Sequence, residues 1–255
     1  MSKISAIVIT YNEEKNIRRC LESLSWADEI VLVDSYSEDN TKNIAKQFTD
    51  RIFDVEWEGF GRKKEFARNK ASLEWVLCVD ADEVVTSELK DEIKKTLQTQ
   101  PFYDGFYIPR KSNFLGKWIK HSGWYPDYGL RLFKKHKAKF DVSLVHEKLE
   151  VEGKIRYLKN HLLHYTDPDI NHYLSKLNHY TSLSAEELYK KGKKATIGDL
   201  LFRPPTVFFK MFIWKMGFLD GVYGLILASF SSFHVFTKYA KLWHLQKDRL
   251  EVERL

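Results

Sequence analysis

Over the first hundred residues, runs of apolar side chains alternate with stretches in which apolar residues recur at helical spacing. Three continuous apolar runs are typical of strands buried on both faces, and they cover residues 4–10, 29–34 and 75–79. Helical spacing is clearest in two segments, at Ile17, Cys20, Leu21 and Leu24 and then at Leu89, Ile93 and Leu97. Strands that alternate with helices predict a parallel sheet in a Rossmann-like α/β layer.

The pattern changes after Pro101. Shorter apolar segments over 103–109, 128–133, 145–151 and 155–164 predict strands that extend the sheet in a mixed or antiparallel way. From Ile170 onward the pattern is helical and rich in aromatic residues. We therefore expect an α/β domain over residues 1–165, with a mixed sheet flanked by helices, and a helical extension over residues 166–255.

Polar side chains follow three of the predicted parallel strands. They are Thr10-Tyr11-Asn12, Asp34, and the pair Asp80 and Asp82. Right-handed crossovers bring the carboxyl ends of parallel strands to one edge of the sheet, where ligands of open α/β sheets bind. Two aspartates one residue apart repel each other unless a cation or hydrogen-bond donors lie between them. The sequence therefore predicts a Mg²⁺ or Mn²⁺ site; the alternative is an acidic turn that caps the next helix.

These residue types suit a nucleotide that is bound through a metal. Asp34 can accept hydrogen bonds from a base or a ribose, Asp80 can contact ribose or a metal-bound water, and Asp82 can ligate the metal directly. A metal with so few carboxylate ligands relies on substrate phosphates to complete its shell. A basic segment just upstream could reach those phosphates with one or two of its side chains, or form a solvent-exposed helix face: Arg62, Lys63, Lys64, Arg68 and Lys70.

Charge and cysteine content narrow the class of protein. The net charge of +6 is too small to argue for nucleic acid, and no nucleic-acid-binding motif occurs, so we expect no such partner. Cys20 and Cys78 fall at predicted core positions, and nothing indicates a disulfide framework. The first strand starts at Ile4 without a signal-peptide pattern. These features favour the cytoplasm.

The C-terminal extension has the composition of a membrane-surface element. Its apolar part, residues 222–236, is shorter than the roughly 20 residues that a spanning helix needs. Lysines flank aromatic residues on both sides of it, as at Lys215 beside Trp214 and Lys238 beside Tyr239. We expect peripheral association with the inner, cytoplasmic membrane; the alternative is a buried helical pair.

Three segments together resemble a known family. Ile7-Val8-Ile9-Thr10-Tyr11-Asn12-Glu13 resembles the opening strand of inverting family-2 glycosyltransferases with the GT-A fold. The segment from Val33-Asp34-Ser35 to Thr41 resembles the second motif of that family, and Asp80-Ala81-Asp82-Glu83 resembles its metal-binding DxD motif. The resemblance covers roughly residues 1–150.

One branch, the lipopolysaccharide-core β-glucosyltransferases, is similar over nearly the full chain. The similar segments are Gly123-Trp124-Tyr125-Pro126-Asp127, Arg131-Leu132-Phe133, Val145-His146-Glu147 and Gly217-Phe218-Leu219-Asp220-Gly221. This resemblance implies hexose transfer from UDP-glucose or another UDP-sugar donor to a lipid-linked glycan acceptor such as lipopolysaccharide core. The Gln-x-x-Arg-Trp motif of processive synthases is absent, so we expect one sugar per encounter.

The resemblance also implies roles for single residues. The donor would contact Thr10, Tyr11, Asn12, Glu13, Asp34, Arg62, Arg68, Asp80 and Arg131, and the metal would contact Asp82, Asp80 and His146. An inverting enzyme needs a general base across the sugar from the diphosphate, for which Glu147 is the candidate and Asp127 its rival. His146 has two other interpretations, that it touches phosphate or that it orients Glu147, and Arg131 has one as a surface ion pair. Tyr36 stands where the family often has glycine, and tyrosine resists positive φ.

Two other functions fit parts of the sequence. A sugar nucleotidyltransferase normally has a glycine-rich loop after its first strand, whereas the loop here is Tyr11-Asn12-Glu13-Glu14, with two acids that would repel phosphate. A non-catalytic membrane-binding module would explain the basic, aromatic C-terminal segment. It would not explain acids at successive strand ends.

Overall fold

The computed structural model describes residues 2–99, 102–141 and 148–252. The chain forms two compact units. Unit 1 comprises residues 1–111 and 126–165, and unit 2 comprises residues 112–125 and 166–255. The sequence predicted a single boundary at residue 165, whereas the segment 112–125 lies with the C-terminal helices.

Strands and helices alternate in the N-terminal half of the chain and helices dominate after residue 170. Within the described ranges the strands are β1 (Ile4–Thr10), β2 (Glu29–Asp34), β3 (Ile52–Asp54), β4 (Trp75–Asp80), β5 (Glu83–Val85), β6 (Gly105–Phe114), β7 (Lys117–Trp118), β8 (Asp127–Lys134), β9 (Ala138–Phe140), β10 (Leu149–Val151), β11 (Ile155–Tyr157) and β12 (Leu162–Asp167). The α-helices are α1 (Ile17–Ser23), α2 (Thr41–Ala45), α3 (Phe60–Lys70), α4 (Ser87–Thr99), α5 (Ile170–Lys190), α6 (Ile197–Phe209) and α7 (Val222–Val252).

The predicted parallel layer is confirmed. Strands β3, β2, β1 and β4 lie side by side and parallel, with Thr10 paired to Asp34 and Ile9 paired to Asp80. Side chains of β1 alternate between two buried clusters, so the strand is apolar on both faces as its sequence requires. This register places the ends of three strands at one edge of the sheet.

Antiparallel strands continue the sheet beyond β4, which confirms the mixed architecture. The order is β4-β8-β6-β12-β5, with β8 antiparallel to both β4 and β6. Strand β5 follows directly after Asp82 and pairs antiparallel with β12, where Glu83 lies opposite His164. This pairing brings a late segment of the chain to the acidic loop.

The helices flank the sheet and bury the cysteines as predicted. Cys20 packs in the cluster under α1, and Cys78 packs on the opposite face with Ala67 of α3. Burial raises the pKa of the Cys78 thiol to about 11 and raises that of Cys20 well above its usual range. Both residues are therefore inert core side chains at neutral pH.

Unit 2 consists of α5, α6 and α7 together with the segment 112–125. α7 packs along both α5 and α6. The buried Asp220 carboxylate accepts hydrogen bonds from the backbone of Lys120 (3.3 Å) and His121 (2.8 Å), and lies 3.2 Å from His121 Nδ1. These contacts explain why residues 112–125 belong to the helical unit. Of the helices in the described part of the chain, none combines the length and apolar character needed to cross a bilayer.

A close backbone contact fixes the start of α7. A Cβ atom added at Gly224 would lie 1.9 Å from the carbonyl oxygen of Gly217, so no side chain fits without backbone movement. In contrast, a Cβ added at Gly198 in α6 meets nothing closer than 3.5 Å.

We predict that Gly224→Ala lowers the free energy of unfolding by roughly 1–3 kcal/mol or more, because overpacking here strains backbone atoms. The matched variant Gly198→Ala should be neutral or stabilising by up to ~1 kcal/mol, since alanine is the better helix former. Urea denaturation followed by circular dichroism measures both. Equal midpoints for the two variants would contradict the prediction.

Candidate active site

The loops after β1 and β2 are joined by side-chain hydrogen bonds. Asp34, buried at the end of β2, accepts from the Ser37 amide (2.6 Å) and hydroxyl (2.5 Å). The Ser37 hydroxyl in turn accepts from the Asn12 amide (2.8 Å), and the Asn12 side chain accepts from the Glu38 amide (2.9 Å). The two predicted polar segments therefore form one rigid structure at the sheet edge.

Two residues in these loops adopt the left-handed conformation. Asn12 has φ of 51° and Tyr36 has φ of 58°. Asparagine tolerates this region, whereas an aromatic residue there is uncommon. The turn after Asp34 thus has a left-handed geometry at a tyrosine, a residue that resists positive φ. The rings of Tyr11 and Tyr36 are both exposed.

Lys63 reaches this edge from the first turn of α3. Its ammonium donates to the carbonyl oxygen of Thr10 at 2.5 Å, and the side chain is only 5% exposed. Burial lowers the pKa of Lys63 to about 8, and the negative charge of Asp34 offsets part of that effect. Within the described residues, the buried hydroxyls of Thr10 and Ser35 have no hydrogen-bond partner. Unsatisfied buried hydroxyls beside a buried cation indicate a place for a polar ligand.

Asp80 belongs to a buried network of charges. Its two carboxylate oxygens lie 2.9 Å from Lys64 Nζ and 2.9 Å from a guanidinium nitrogen of Arg131. Arg131 also contacts Glu83 at 2.9 Å, and Glu83 accepts from the Asp80 amide. Burial alone would raise the pKa of the Asp80 carboxyl, but Arg131 and Lys64 outweigh it and hold that pKa well below its usual range. Asp80 is therefore ionised, and protein cations already occupy both of its oxygens.

The network ends at Asp127. Arg110 lies 3.4 Å from Glu83 and 2.6 Å from Asp127, so it bridges the two carboxylates. The Asp127 side chain is half-exposed. Among the described residues, three cations thus balance three carboxylates, as burial of charge requires.

Asp82 lies beside a histidine that the sequence did not single out. Asp82 Oδ2 is 3.1 Å from His164 Nε2, and both side chains are mostly buried. The Tyr165 amide donates to the Asp82 carbonyl at 2.9 Å and holds the loop against β12. A carboxylate next to an imidazole is a ligand pair that suits a divalent metal.

The residues fit such an ion only in part. In the described ranges, no group of three or more His, Cys, Asp or Glu side chains is arranged to hold a metal. Asp82 and His164 would supply two ligands, which leaves the rest of the shell to phosphate oxygens or water.

Only some of the basic residues of α3 lie at the strand ends. Lys63 and Lys64 point to the strand ends, whereas Arg62 is exposed and pairs with Glu58 at 2.8 Å. Arg68, at the other end of α3, bonds to Glu65 and to the carbonyl oxygen of Lys135. Neither arginine reaches the acidic edge in this structure.

Arg131 is not a surface ion pair but a buried one. His146 and Glu147 lie outside the described residues, so their predicted roles stay predictions.

Comparison with known proteins agrees with the resemblance seen in the sequence. A family model described as Glycosyl transferase family 2 matches residues 5–150. The lipopolysaccharide core biosynthesis glycosyltransferase LpsC of Rhizobium meliloti is 28% identical over 251 residues, which cover 93% of this chain and 93% of LpsC. An uncharacterized glycosyltransferase of Rickettsia typhi is 31% identical over 257 residues, with 96% of this chain and 88% of its own length covered.

A solved structure shares the fold. The crystal structure of S. aureus TarS 1–349 in complex with UDP-GlcNAc superposes with a TM-score of 0.51 at 18% sequence identity, covering 92% of this chain and 81% of that one. At this identity the likeness concerns the fold.

We predict that Lys63→Met raises the free energy of unfolding at pH 7 by on the order of 1–3 kcal/mol, because it removes a buried ammonium. The gain should shrink as pH rises from 8 towards 10.5. The pKa of Lys63 in the folded wild type is about 8, below its value in the unfolded chain. Between these two values the unfolded wild type binds more protons than the folded one, so the free energy of unfolding of the wild type rises with pH.

Urea denaturation at a series of pH values measures the difference between the two proteins. The exposed Lys46 provides a control, since Lys46→Met should show no such pH dependence. A constant difference between wild type and Lys63→Met from pH 7 to 10 would contradict the prediction.

Proposed function

The chain belongs to glycosyltransferase family 2, and on that premise we propose that it transfers a hexose, with inversion, from a UDP-sugar to a lipid-linked glycan. Glucose is the hexose we propose, and lipopolysaccharide core is the acceptor class, in line with the LpsC relative. The observation that carries the proposal is the meeting of two half-sites at one sheet edge. One is Asp34 with Thr10 and Lys63, and the other is Asp80, Asp82 and His164.

The first half-site suits a nucleoside. Asp34 is held by Ser37, and its carboxylate retains lone pairs for an imide N–H of a base or for a ribose hydroxyl. The Thr10 hydroxyl and the Lys63 ammonium add a donor–acceptor group and a fixed cation. The exposed rings of Tyr11 and Tyr36 offer faces on which a planar base can stack.

The second half-site suits a diphosphate with Mg²⁺ or Mn²⁺. We assign Asp82 and His164 as the protein ligands, with donor phosphates completing the shell. When bound, such an ion stabilises negative charge on the departing diphosphate as a Lewis acid. Lys64 and Arg131 each lie 2.9 Å from the Asp80 carboxylate, so we assign them the role of positioning it.

The acceptor hydroxyl needs a general base. Glu147 remains our candidate because it stands in the Val-His-Glu segment that resembles the lipopolysaccharide-core branch. Its rival Asp127 is already engaged in an ion pair with Arg110 at 2.6 Å. The geometry at Asp127 therefore favours Glu147.

Because a lipid-linked acceptor lies in a membrane, transfer to it takes place at the membrane surface. We propose that the enzyme works from the cytoplasm at the inner-membrane surface, as a peripheral protein. The direct test of the whole proposal is a screen of nucleotide sugars for Mn²⁺- or Mg²⁺-dependent UDP release with a lipid-linked acceptor. Release from UDP-hexoses is expected; the absence of release from every UDP-sugar would refute it.

We predict that Asp82→Ala and His164→Ala each weaken Mn²⁺-dependent UDP binding about 10- to 100-fold, because each removes a proposed metal ligand or its partner. Calorimetric titration with UDP in the presence and absence of Mn²⁺ measures this. The exposed Asp91 on α4 is the control, and Asp91→Ala should bind as the wild type does. Unchanged affinity in both site variants would remove Asp82 and His164 from the metal site.

We predict that Glu147→Gln lowers the rate of sugar transfer by about 10²- to 10⁴-fold while UDP binding stays near wild type, because a general base acts on the acceptor and not on the donor. Asp127→Asn should retain most of its activity. Steady-state transfer assays together with UDP titration measure both. The opposite ranking of the two variants would identify Asp127 as the base.

A further inference from the structure

Unit 2 exposes an unusual amount of apolar surface between the start of α6 and the start of α7. Trp214 is 73% exposed and Phe202 is 71% exposed. We call the exposed large apolar side chains of this stretch the apolar surface: Ile197, Leu201, Phe202, Phe209, Ile213, Trp214, Met216, Phe218, Leu219 and Val222. Contiguous apolar patches of this kind mark interaction sites on soluble domains.

Four side chains of the apolar surface, Phe202, Phe209, Ile213 and Trp214, lie together. One shallow hollow is lined by Phe202, Pro205, Thr206, Phe209, Ile213 and Trp214. These positions recur every three or four residues, which places them on one face of α6 and of the π-helical turn that follows it, Lys210–Trp214. The opposite side of α6 is already used, because Pro204 is buried and its carbonyl oxygen accepts from Ser232 of α7 at 2.8 Å.

The segment is held in this arrangement by its backbone. The chain turns at Met216, which has φ of 53°. A Cβ added at Gly217 would lie 2.8 Å from the carbonyl oxygen of Met211, and one added at Gly224 would lie 1.9 Å from the carbonyl oxygen of Gly217, so neither position accepts a side chain. This backbone packing fixes the turn that lies between the exposed apolar residues on either side of it.

The net positive charge of the protein comes from the same unit. Unit 2 contains 15 lysine and arginine residues against nine acidic residues, a net charge of +6, whereas unit 1 contains 26 of each and is neutral. Residues 200–219 contain no acid but do contain Lys210 and Lys215, which are exposed beside the aromatic side chains. A surface that combines exposed aromatics with lysines is complementary to the headgroup region of an anionic bilayer.

We propose that the apolar surface docks on an anionic lipid bilayer, with Phe202, Phe209 and Trp214 in the interfacial region and Lys210 and Lys215 at the headgroups. The inference deepens the proposed function, on which it rests for the lipid-linked acceptor, by identifying which face of the protein meets the membrane. Lipid is favoured over a second copy of the chain because a positively charged surface would repel its own copy.

Sedimentation with vesicles tests the proposal on the full chain. We expect the wild type to bind vesicles of phosphatidylglycerol and phosphatidylcholine (about 1:3) and to bind pure phosphatidylcholine much less, with binding reduced by salt. The double variant Phe202→Ser/Trp214→Ser should bind at least about tenfold less. The double variant Lys210→Gln/Lys215→Gln should lose about fivefold per lysine on anionic vesicles.

Matched controls come from unit 1. Phe102 is 78% exposed, so Phe102→Ser removes an equally accessible aromatic side chain, and Lys46→Gln/Lys95→Gln removes two exposed lysines. Both controls should bind as the wild type does. Equal losses in controls and test variants would overturn the proposal, as would failure of the wild type to bind anionic vesicles. It would also be overturned by a wild-type dimer that Phe202→Ser/Trp214→Ser converts to a monomer in light scattering.

Vesicle binding needs no turnover, and UDP release from a UDP-hexose in vesicle-free buffer needs no membrane. Intact UDP release without vesicle binding would therefore refute the docking surface alone. Vesicle binding without UDP release from any UDP-sugar would support the docking surface and refute the proposed function.

Discussion

Buried carboxylates at the ends of parallel strands have to be neutralised, and this constraint organises unit 1. Asp80 ends a strand that is buried on both faces, where an uncompensated charge would cost several kcal/mol. Lys64 from the preceding helix and Arg131 from the antiparallel strand β8 supply the compensation. Helix α3 must therefore begin at the acidic edge, and β8 must pair beside β4.

The same constraint separates the roles of the two aspartates in the Asp80-Ala81-Asp82 segment. Asp80 is tied to two protein cations and acts as a fixed part of the scaffold. Asp82 lies two residues further on and contacts an imidazole, a weaker and more exchangeable partner. The Asp82 carboxylate, which contacts His164, thus lies two residues from a carboxylate that two cations fix.

Much of unit 1 was predictable because its order is local. Continuous apolar runs predicted β1, β2 and β4. The right-handed rule for crossovers between parallel strands then predicted that Thr10, Asp34 and Asp80 share one edge of the sheet. The sequence could not predict which basic side chains of α3 reach the acidic edge. Consecutive residues of a helix point in different directions, and packing decides which side of the helix faces the sheet. The sequence analysis missed His164 for a related reason. Strand β12 pairs with β5 across some 80 residues, and a pattern within one short segment cannot predict so distant a pairing. The attachment of residues 112–125 to the helical unit rests likewise on Asp220, about a hundred residues away.

The contact between Gly217 and Gly224 has a consequence for protein engineering. Because backbone atoms make it, this contact does not depend on the exposed side chains of Leu219 and Val222, whereas the Phe218 ring packs edge-on against Phe212. Leu219 and Val222 can therefore be replaced while the contact between Gly217 and Gly224 is kept. Replacing them with charged residues should give a protein that resists aggregation at high concentration and leaves unit 1 untouched for crystallisation with nucleotide sugars.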